Sequence, residues 1–168
     1  MADLYVSWDD YHQTIERLAG AIHASGWRFN QIVCIARGGL RVGDTLSRIF
    51  KLPLAIISTQ SYAGDGGRER GRLTVAKHLT MTTPTLGDRI LLADDLVDSG
   101  VTLDVVQQHL RDTHSALSDL RTAVLWYKAC SKYPPDYYAH HLLDNPWIHQ
   151  PFEPYEMMSV HELCGRTS

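Results

Sequence analysis

The sequence predicts an α/β protein, specifically a three-layer sandwich whose central sheet is mostly parallel. Short runs of apolar, often β-branched residues alternate along the chain with segments of helical periodicity. The apolar runs are nearly continuous, which is typical of parallel strands buried on both faces. Several of them end at glycine or charged residues, where a loop leads into a helical segment. Together these three observations favour helices on both sides of one sheet.

The first predicted element is a helix near the start of the chain. Ser7 and Asp10 have the spacing of a capping box, in which two side chains satisfy free N–H groups at a helix start. Apolar residues then recur at helical spacing to about Ala24, and Gly26 ends the helix. The apolar positions are Ile15, Leu18, Ala19 and Ile22.

A βαβ unit follows this helix. Residues 31–36 form an apolar run that predicts a buried strand, and Arg37-Gly38-Gly39 ends it. The pattern from Leu40 predicts a helix through Lys51, and residues 54–58 predict the next strand. Such a unit has parallel strands joined by a right-handed crossover.

Residues 62–72 interrupt the pattern. Four glycines lie among three arginines there, and the segment has no apolar face. Two interpretations are open, a solvated hairpin loop or a mobile basic lid that closes over an anionic ligand. Residues 73–79 then predict a strand or a hairpin arm, and a turn follows at Pro84 and Gly87-Asp88.

The most informative stretch runs from residue 89 to residue 102. Residues 90–93 predict a buried strand, Asp94 and Asp95 lie at its end, and Asp98 follows three residues later. Side chains alternate along a strand, so Asp94 and Asp95 are expected to point to opposite sides. They suit two hydroxyls, or a hydroxyl and a Mg²⁺, better than one shared ion.

The turn Ser99-Gly100-Val101-Thr102 follows these acids and leads into a helix with apolar positions 103, 106 and 110. Its backbone N–H groups and hydroxyls, at the positive end of a helix dipole, predict a phosphate site. A plain strand-to-helix loop with a polar cap is the alternative. Adjacent carboxylates repel one another unless a cation or hydroxyls use them, which favours the ligand site.

The last third of the chain predicts two more strands. Residues 121–127 form a strand that stops at Lys128, Pro134-Pro135 break the chain, and residues 137–142 predict an edge strand. Residues 145–154 are rich in proline, and no regular structure is expected there.

Composition restricts the classes of function. The 168 residues fit one domain, and the net charge of -3 gives no bulk reason to expect nucleic acid as a partner. Neither a signal peptide nor an apolar run long enough for a membrane span is expected. The three widely spaced cysteines indicate no disulfide framework, so a reducing cytoplasm is predicted. Cys34 and Cys130 lie in or beside apolar runs and are expected to be small buried hydrophobic residues.

The stretch from Ile90 to Thr102 resembles the PRPP-binding motif of type I phosphoribosyltransferases: four apolar residues, two acids, two apolar residues, an acid, Ser or Thr, Gly, any residue, and Thr. Other segments resemble the same family. Arg37-Gly38-Gly39-Leu40 is similar to its pyrophosphate loop, and Ser61-Tyr62 with Arg68-Glu69 to its flexible catalytic loop. Lys128 and Trp147-Ile148-x-Gln150-Pro151 are similar to the purine-binding elements of bacterial xanthine-guanine phosphoribosyltransferases.

The resemblance implies a PRPP site with Mg²⁺. Arg37 and Gly38 would hold pyrophosphate, after a cis peptide between Ala36 and Arg37, and Arg68 would close on the diphosphate with the lid. Asp94 would hold a ribose hydroxyl, and Asp95 would contact Mg²⁺, directly or through water. The 5′-phosphate would lie in the turn formed by Ser99, Gly100, Val101 and Thr102.

It also implies a purine site. Asp98 would accept the proton of purine N7 or hydrogen-bond that nitrogen, and Lys128 would donate to O6, which selects 6-oxopurines over adenine. Trp147 would stack on the ring, and the backbone of Ile148 would meet the group at C2. Three of the residues in the two sites have an alternative role. Arg37 could be a surface ion-pair residue, Lys128 a solvated strand end and Trp147 a core residue.

The implied organisation is one phosphoribosyltransferase domain over residues 1–168, with a flexible catalytic loop at 62–79 and a small C-terminal hood at 128–160. The implied function is transfer of the phosphoribosyl group from PRPP to guanine, xanthine or hypoxanthine, with release of pyrophosphate. A homodimer or homotetramer is expected. Two alternatives are open: a PRPP- or nucleotide-sensing regulator of the same fold, and a phosphoribosyltransferase for another base.

Overall fold

The structure is a computed structural model in which residues 3–61 and 73–165 are described. The strands are β1 (Leu4–Tyr5), β2 (Gln31–Ala36), β3 (Leu54–Ser61), β4 (Leu73–Val75), β5 (Thr80–Met81), β6 (Arg89–Val97), β7 (Asp119–Lys128), β8 (Tyr137–Leu142) and β9 (Ile148–His149). The helices are α1 (Trp8–Ala24), α2 (Leu40–Phe50), α3 (Val101–Thr113), α4 (Pro154–Met157) and α5 (Val160–Cys164).

A seven-stranded sheet forms the centre of the fold. Its strand order is β4-β3-β2-β6-β7-β8, and β5 pairs with β3 off this path. Strands β2, β3, β6, β7 and β8 are parallel, whereas β4 and β5 run antiparallel to β3. The mostly parallel sheet is therefore confirmed, and β8 lies at one edge as predicted. Among the described residues, no helix combines the length and apolarity that a membrane crossing requires.

Helices cover both faces of the sheet, which gives the three predicted layers. Side chains of β6 alternate between two hydrophobic clusters, as a strand period of two requires. Leu91 and Ala93 pack in the cluster that includes α1 and α2. Ile90 and Leu92 pack in the cluster that includes α3. Because β6 is buried on both sides, packing against α1, α2 and α3 holds its carboxyl end in place.

The predicted start of α1 is confirmed. The Ser7 hydroxyl accepts from the Asp10 N–H at 3.1 Å, and the Asp10 carboxylate accepts from the Ser7 N–H at 3.2 Å. Helix α2 ends one residue earlier than predicted, because Lys51 adopts the left-handed conformation with φ 56°. Close packing holds α2 on the sheet, since a Cβ at Gly43 would lie 2.5 Å from Cys34 Cβ.

Four expectations need correction. Strand β3 continues three residues beyond 58, because β4 pairs with its end. Strand β6 continues through the two acids to Val97, so Asp94 and Asp95 lie inside the strand and not at its end. The proline-rich tail is partly regular, since β9 pairs in parallel with β1 and α4 follows. Cys34 is buried as expected, but Cys130 is exposed because it follows the end of β7.

Candidate active site

Most of the predicted ligand residues that the structure describes lie at or just after the carboxyl ends of β2, β6 and β7, where a parallel sheet usually binds its ligands. A cavity of about 190 Å³ opens there along residues 94–100, Thr102 and Leu103. One wall is therefore the end of β6 and the start of α3, as the PRPP motif predicts. A separate cavity of about 400 Å³ lies between Tyr5 and the tail, with Met157 on its rim. Asp94, Asp95 and Asp98 do not line that second cavity.

The two adjacent carboxylates are held differently. One carboxylate oxygen of Asp94 accepts from the N–H of Asp95 at 2.9 Å. Burial, and after it the charge of Asp95, raises the pKa of Asp94 well above the usual range of a carboxyl group. The negative charge of Asp95 therefore disfavours the ionised form of Asp94, and a hydroxyl or a cation between the two side chains would relieve this repulsion.

Asp95 is fixed from two sides. The side-chain amide of Gln150 donates to one of its carboxylate oxygens at 2.7 Å. On the other side the backbone of Gly38 comes so close that a Cβ there would lie 2.5 Å from Asp95 Oδ1. Any larger residue at position 38 would therefore have to displace the Asp95 carboxylate. This contact joins the pyrophosphate loop directly to the acid pair.

The turn from Ser99 to Thr102, the predicted phosphate site, is shaped by Gly100. Gly100 is the N-cap of α3 and has φ 82°, in the left-handed region that favours glycine. The Ser99 hydroxyl accepts from the Val101 N–H at 3.4 Å. A Cβ at Gly100 would also lie 2.5 Å from the hydroxyl of Ser131, so both the backbone angle and the packing require glycine. The start of α3 therefore borders the cavity, and its first N–H groups have no partner within the helix.

Asp98 and Lys128 form a pair across the site. Lys128 Nζ lies 3.6 Å from Asp98 Oδ1. The lysine is 6% exposed at the end of β7, which excludes a solvated strand end, whereas the Asp98 side chain is 63% exposed. Cys130 Sγ donates to the same Asp98 oxygen at 3.4 Å. Local loss of hydration, and then this carboxylate, raises the pKa of the exposed Cys130 thiol.

The tail brings Trp147, one of the predicted purine-binding residues, beside Lys128. Lys128 Nζ lies 5.9 Å from the centre of the Trp147 ring, within the range of a cation–π contact. Trp147 is 63% exposed, so it is not a core residue, while Ile148 is buried. The N–H of Leu4 donates to the carbonyl of Trp147 at 2.8 Å, which fixes the tail against the first strand.

Arg37 lies at the rim of the site after a cis peptide bond, as the resemblance implies. Its side chain is almost fully exposed, and its guanidinium is 3.6 Å from a carboxylate oxygen of Glu156 on α4. The structure therefore shows Arg37 in its alternative role, as a surface ion-pair residue. An exposed pair of this kind is weak, so the guanidinium can exchange it for a diphosphate.

Two predictions fall outside the described residues, and two neighbours of the site were missed. Arg68 and the loop 62–72 belong to the first group. Gln150 belongs to the family pattern but has no predicted role, although it lies two positions after buried Ile148, the spacing that places side chains on the same side of an extended segment. Cys130 was assigned to the core, and its contact with Asp98 had no signal in the sequence.

A parallel sheet with an acid pair and a phosphate-binding turn after one central strand defines the class of type I phosphoribosyltransferases. The family model described as "Phosphoribosyl transferase domain" matches residues 7–157. The chain therefore belongs to the phosphoribosyltransferase family, and it is an enzyme of the pentosyltransferase class.

Named relatives are purine enzymes. Xanthine-guanine phosphoribosyltransferase of Gluconobacter oxydans is 30% identical over 149 residues, which cover 88% of this chain and 83% of that protein. The structure is similar to the Helicobacter pylori xanthine-guanine-hypoxanthine phosphoribosyltransferase, with TM-score 0.74, 25% identity and coverage of 98% and 99%. It is also similar to a purine phosphoribosyltransferase from Pyrococcus horikoshii, with TM-score 0.69, 27% identity and coverage of 90% and 95%.

Proposed function

We propose that this enzyme transfers the 5-phosphoribosyl group of PRPP to a 6-oxopurine and releases pyrophosphate. The observation that carries the choice of base is the group formed by Lys128, Asp98 and Trp147 at the open side of the PRPP motif. A buried ammonium offers only hydrogen-bond donors, so it suits the O6 of guanine, xanthine or hypoxanthine and not the amino group of adenine. The names of the relatives support the same substrate class.

The PRPP half of the site provides positioning and charge. The N–H groups from Ser99 to Thr102 would hold the 5′-phosphate, and Asp94 would accept from a ribose hydroxyl. Arg37 and the backbone of Gly38 would hold the diphosphate, and Arg68 is proposed to join them from the loop. Because such reactions pass through a charge-separated transition state, most of the catalysis is electrostatic stabilisation and alignment.

Mg²⁺ is proposed as the cofactor, and the donor set fits it. Asp95 offers a partly exposed carboxylate at the cavity, and Mg²⁺ usually binds one or two carboxylates together with substrate oxygens and waters. When bound, the ion would neutralise the charge of the leaving diphosphate. Asp95 is the protein residue proposed to hold it.

The chemical step is a substitution at C1′ of the ribose. The bond between C1′ and the diphosphate oxygen breaks, and pyrophosphate leaves with the electron pair. The lone pair of purine N9 forms the new bond, and Asp98 accepts the proton that the base loses at N7. Lys128 and Trp147 hold the base in line during this exchange, and Ile148 contributes its backbone at the C2 side.

The direct test is a base panel. The protein is mixed with PRPP, Mg²⁺ and guanine, xanthine, hypoxanthine or adenine, and nucleotide formation is followed by absorbance and chromatography. We expect turnover with at least one 6-oxopurine and little with adenine. Turnover with none of the purines would refute the proposal, and tight PRPP binding without turnover would favour the sensing alternative. Light scattering of the same sample tests the proposed homodimer or homotetramer.

A further inference from the structure

We propose that Gln150 is a positioning residue that orients the Asp95 carboxylate for PRPP and its metal. The inference rests on the proposed function of Asp95. The first observation is the hydrogen bond of 2.7 Å that Gln150 Nε2 donates to Asp95 Oδ2. Because a carboxylate offers no donor, the amide can face it only with its nitrogen, so the orientation of Gln150 is determined.

The cost of this arrangement indicates a functional role. Gln150 is 7% exposed, and its other amide atom, Oε1, accepts from no group of the described part of the chain. A buried acceptor without a donor destabilises a fold. An apolar side chain of similar shape would satisfy the packing equally well, so packing does not explain a glutamine. The hydrogen bond to Asp95 explains the glutamine, because it holds in place a carboxylate that is otherwise partly exposed.

The effect of this bond is directional. The backbone of Gly38 blocks Asp95 from one side, and Gln150 holds the carboxylate on the other, so only a narrow range of orientations is left. Residues behind a metal-binding carboxylate commonly act in this way, by setting its angle before the ligand arrives. In this protein the residue behind it comes from the tail, 55 positions away along the chain.

The tail has its own attachment, which allows the role of Gln150 to be isolated. Backbone bonds from Leu4 N to Trp147 O, 2.8 Å, and from Val6 N to His149 O, 3.0 Å, hold the segment on β1. Removing the amide of Gln150 therefore leaves the base-binding residues in place. A change at this position should alter the PRPP side of the site and spare the purine side.

The test uses Gln150→Met, which keeps the length of the side chain and removes the donor, and Gln150→Glu, which keeps its shape. The control is Gln108→Met, because Gln108 donates to Asp112 at the same 2.7 Å on the exposed surface of α3. Calorimetry of PRPP binding at fixed Mg²⁺, without base, gives dissociation constants. Initial rates give KM for PRPP and for guanine, and thermal unfolding reports the fold.

We expect both Gln150 variants to bind PRPP about 10- to 100-fold more weakly than the wild type, as is common when a residue behind a metal ligand is lost. KM for guanine should change less than about 3-fold, and Gln150→Met should unfold at the wild-type temperature or above it. The control should match the wild type. Wild-type PRPP affinity in both Gln150 variants, or an equal rise in both KM values, would overturn the inference and leave the proposed function intact. Failure of the wild type itself to bind PRPP would overturn both.

Discussion

Replacing Gly38 by alanine should damage the PRPP site and spare the fold. Gly38 does not have a positive φ, so an alanine can adopt its backbone conformation. The added Cβ, however, would lie 2.5 Å from Asp95 Oδ1 and 2.8 Å from Oδ2. The clash is with the side chain of Asp95, whose carboxylate is partly exposed. The carboxylate can therefore move while the backbone of both residues keeps its position.

The size of this movement sets the expected effect. Real Cβ contacts essentially never fall below 3.0 Å, so the nearer Asp95 oxygen must retreat by at least about 0.5 Å. The retreat strains its bond of 2.7 Å to Gln150. A misplacement of this order costs roughly 10-fold or more in rate, or about 1.4 kcal/mol of transition-state stabilisation. Stability should stay within about 1 kcal/mol of the wild type, as for a change that an exposed side chain can absorb.

Gly39→Ala is the matched comparison. Its Cβ would meet two backbone oxygens, that of Ala93 at 2.7 Å and that of Ile35 at 2.8 Å, and these belong to paired strands. Neither can move without shifting the sheet, so this variant should lose about 1–3 kcal/mol of stability or more. The assays are kcat/KM for PRPP and the free energy of unfolding in urea. Wild-type kcat/KM in Gly38→Ala, or wild-type stability in Gly39→Ala, would refute the steric argument.

Three further predictions concern the acids and the lysine. Asp98→Asn should lower kcat by roughly 10²–10⁴-fold through loss of the proton acceptor, with little change in PRPP binding. Lys128→Gln should raise KM for guanine by about 10-fold or more, since it removes a charged donor, while PRPP affinity stays constant. Asp94→Asn concerns pH. Because the folded pKa of Asp94 is raised, stability of the metal-free wild type should fall as pH rises above about 3.9 and through the folded pKa. The asparagine variant should lack that fall when urea unfolding is compared at about pH 4 and about pH 7.

Each of these predictions has an outcome that contradicts it. Unchanged kcat in Asp98→Asn would remove its role as the base. A loss of PRPP affinity in Lys128→Gln equal to the loss for guanine would indicate general damage to the site. Parallel pH profiles of wild type and Asp94→Asn would show that this carboxyl does not carry the burial cost.

The order of elements and the placement of the acids before a glycine turn were predictable from the sequence because both depend on local patterns. The capping box at Ser7, the apolar runs and the acids before a glycine turn are contiguous, so spacing alone locates them. The prediction of the end of β6 was less accurate. Pairing with β7 extends this strand through two aspartates, a residue type that strand propensity disfavours.

The tail and its contacts were not predictable in the same way. Prolines around residues 146–154 argue against regular structure, yet β1 supplies a partner strand from the opposite end of the chain. The bond between Gln150 and Asp95, and the approach of Cys130 to Asp98, join residues 55 and 32 positions apart. Such contacts follow from the packed fold, and no local pattern in this single sequence specifies them.

The pairing of β1 with β9 has a consequence for protein engineering. The segment proposed to recognise the base is encoded at the far end of the chain, but its backbone partner is Leu4 at the near end. An exchange of base preference by grafting residues 147–153 from a relative would therefore transfer only half of a module. The graft should include the matching first six residues, because they supply the partner strand.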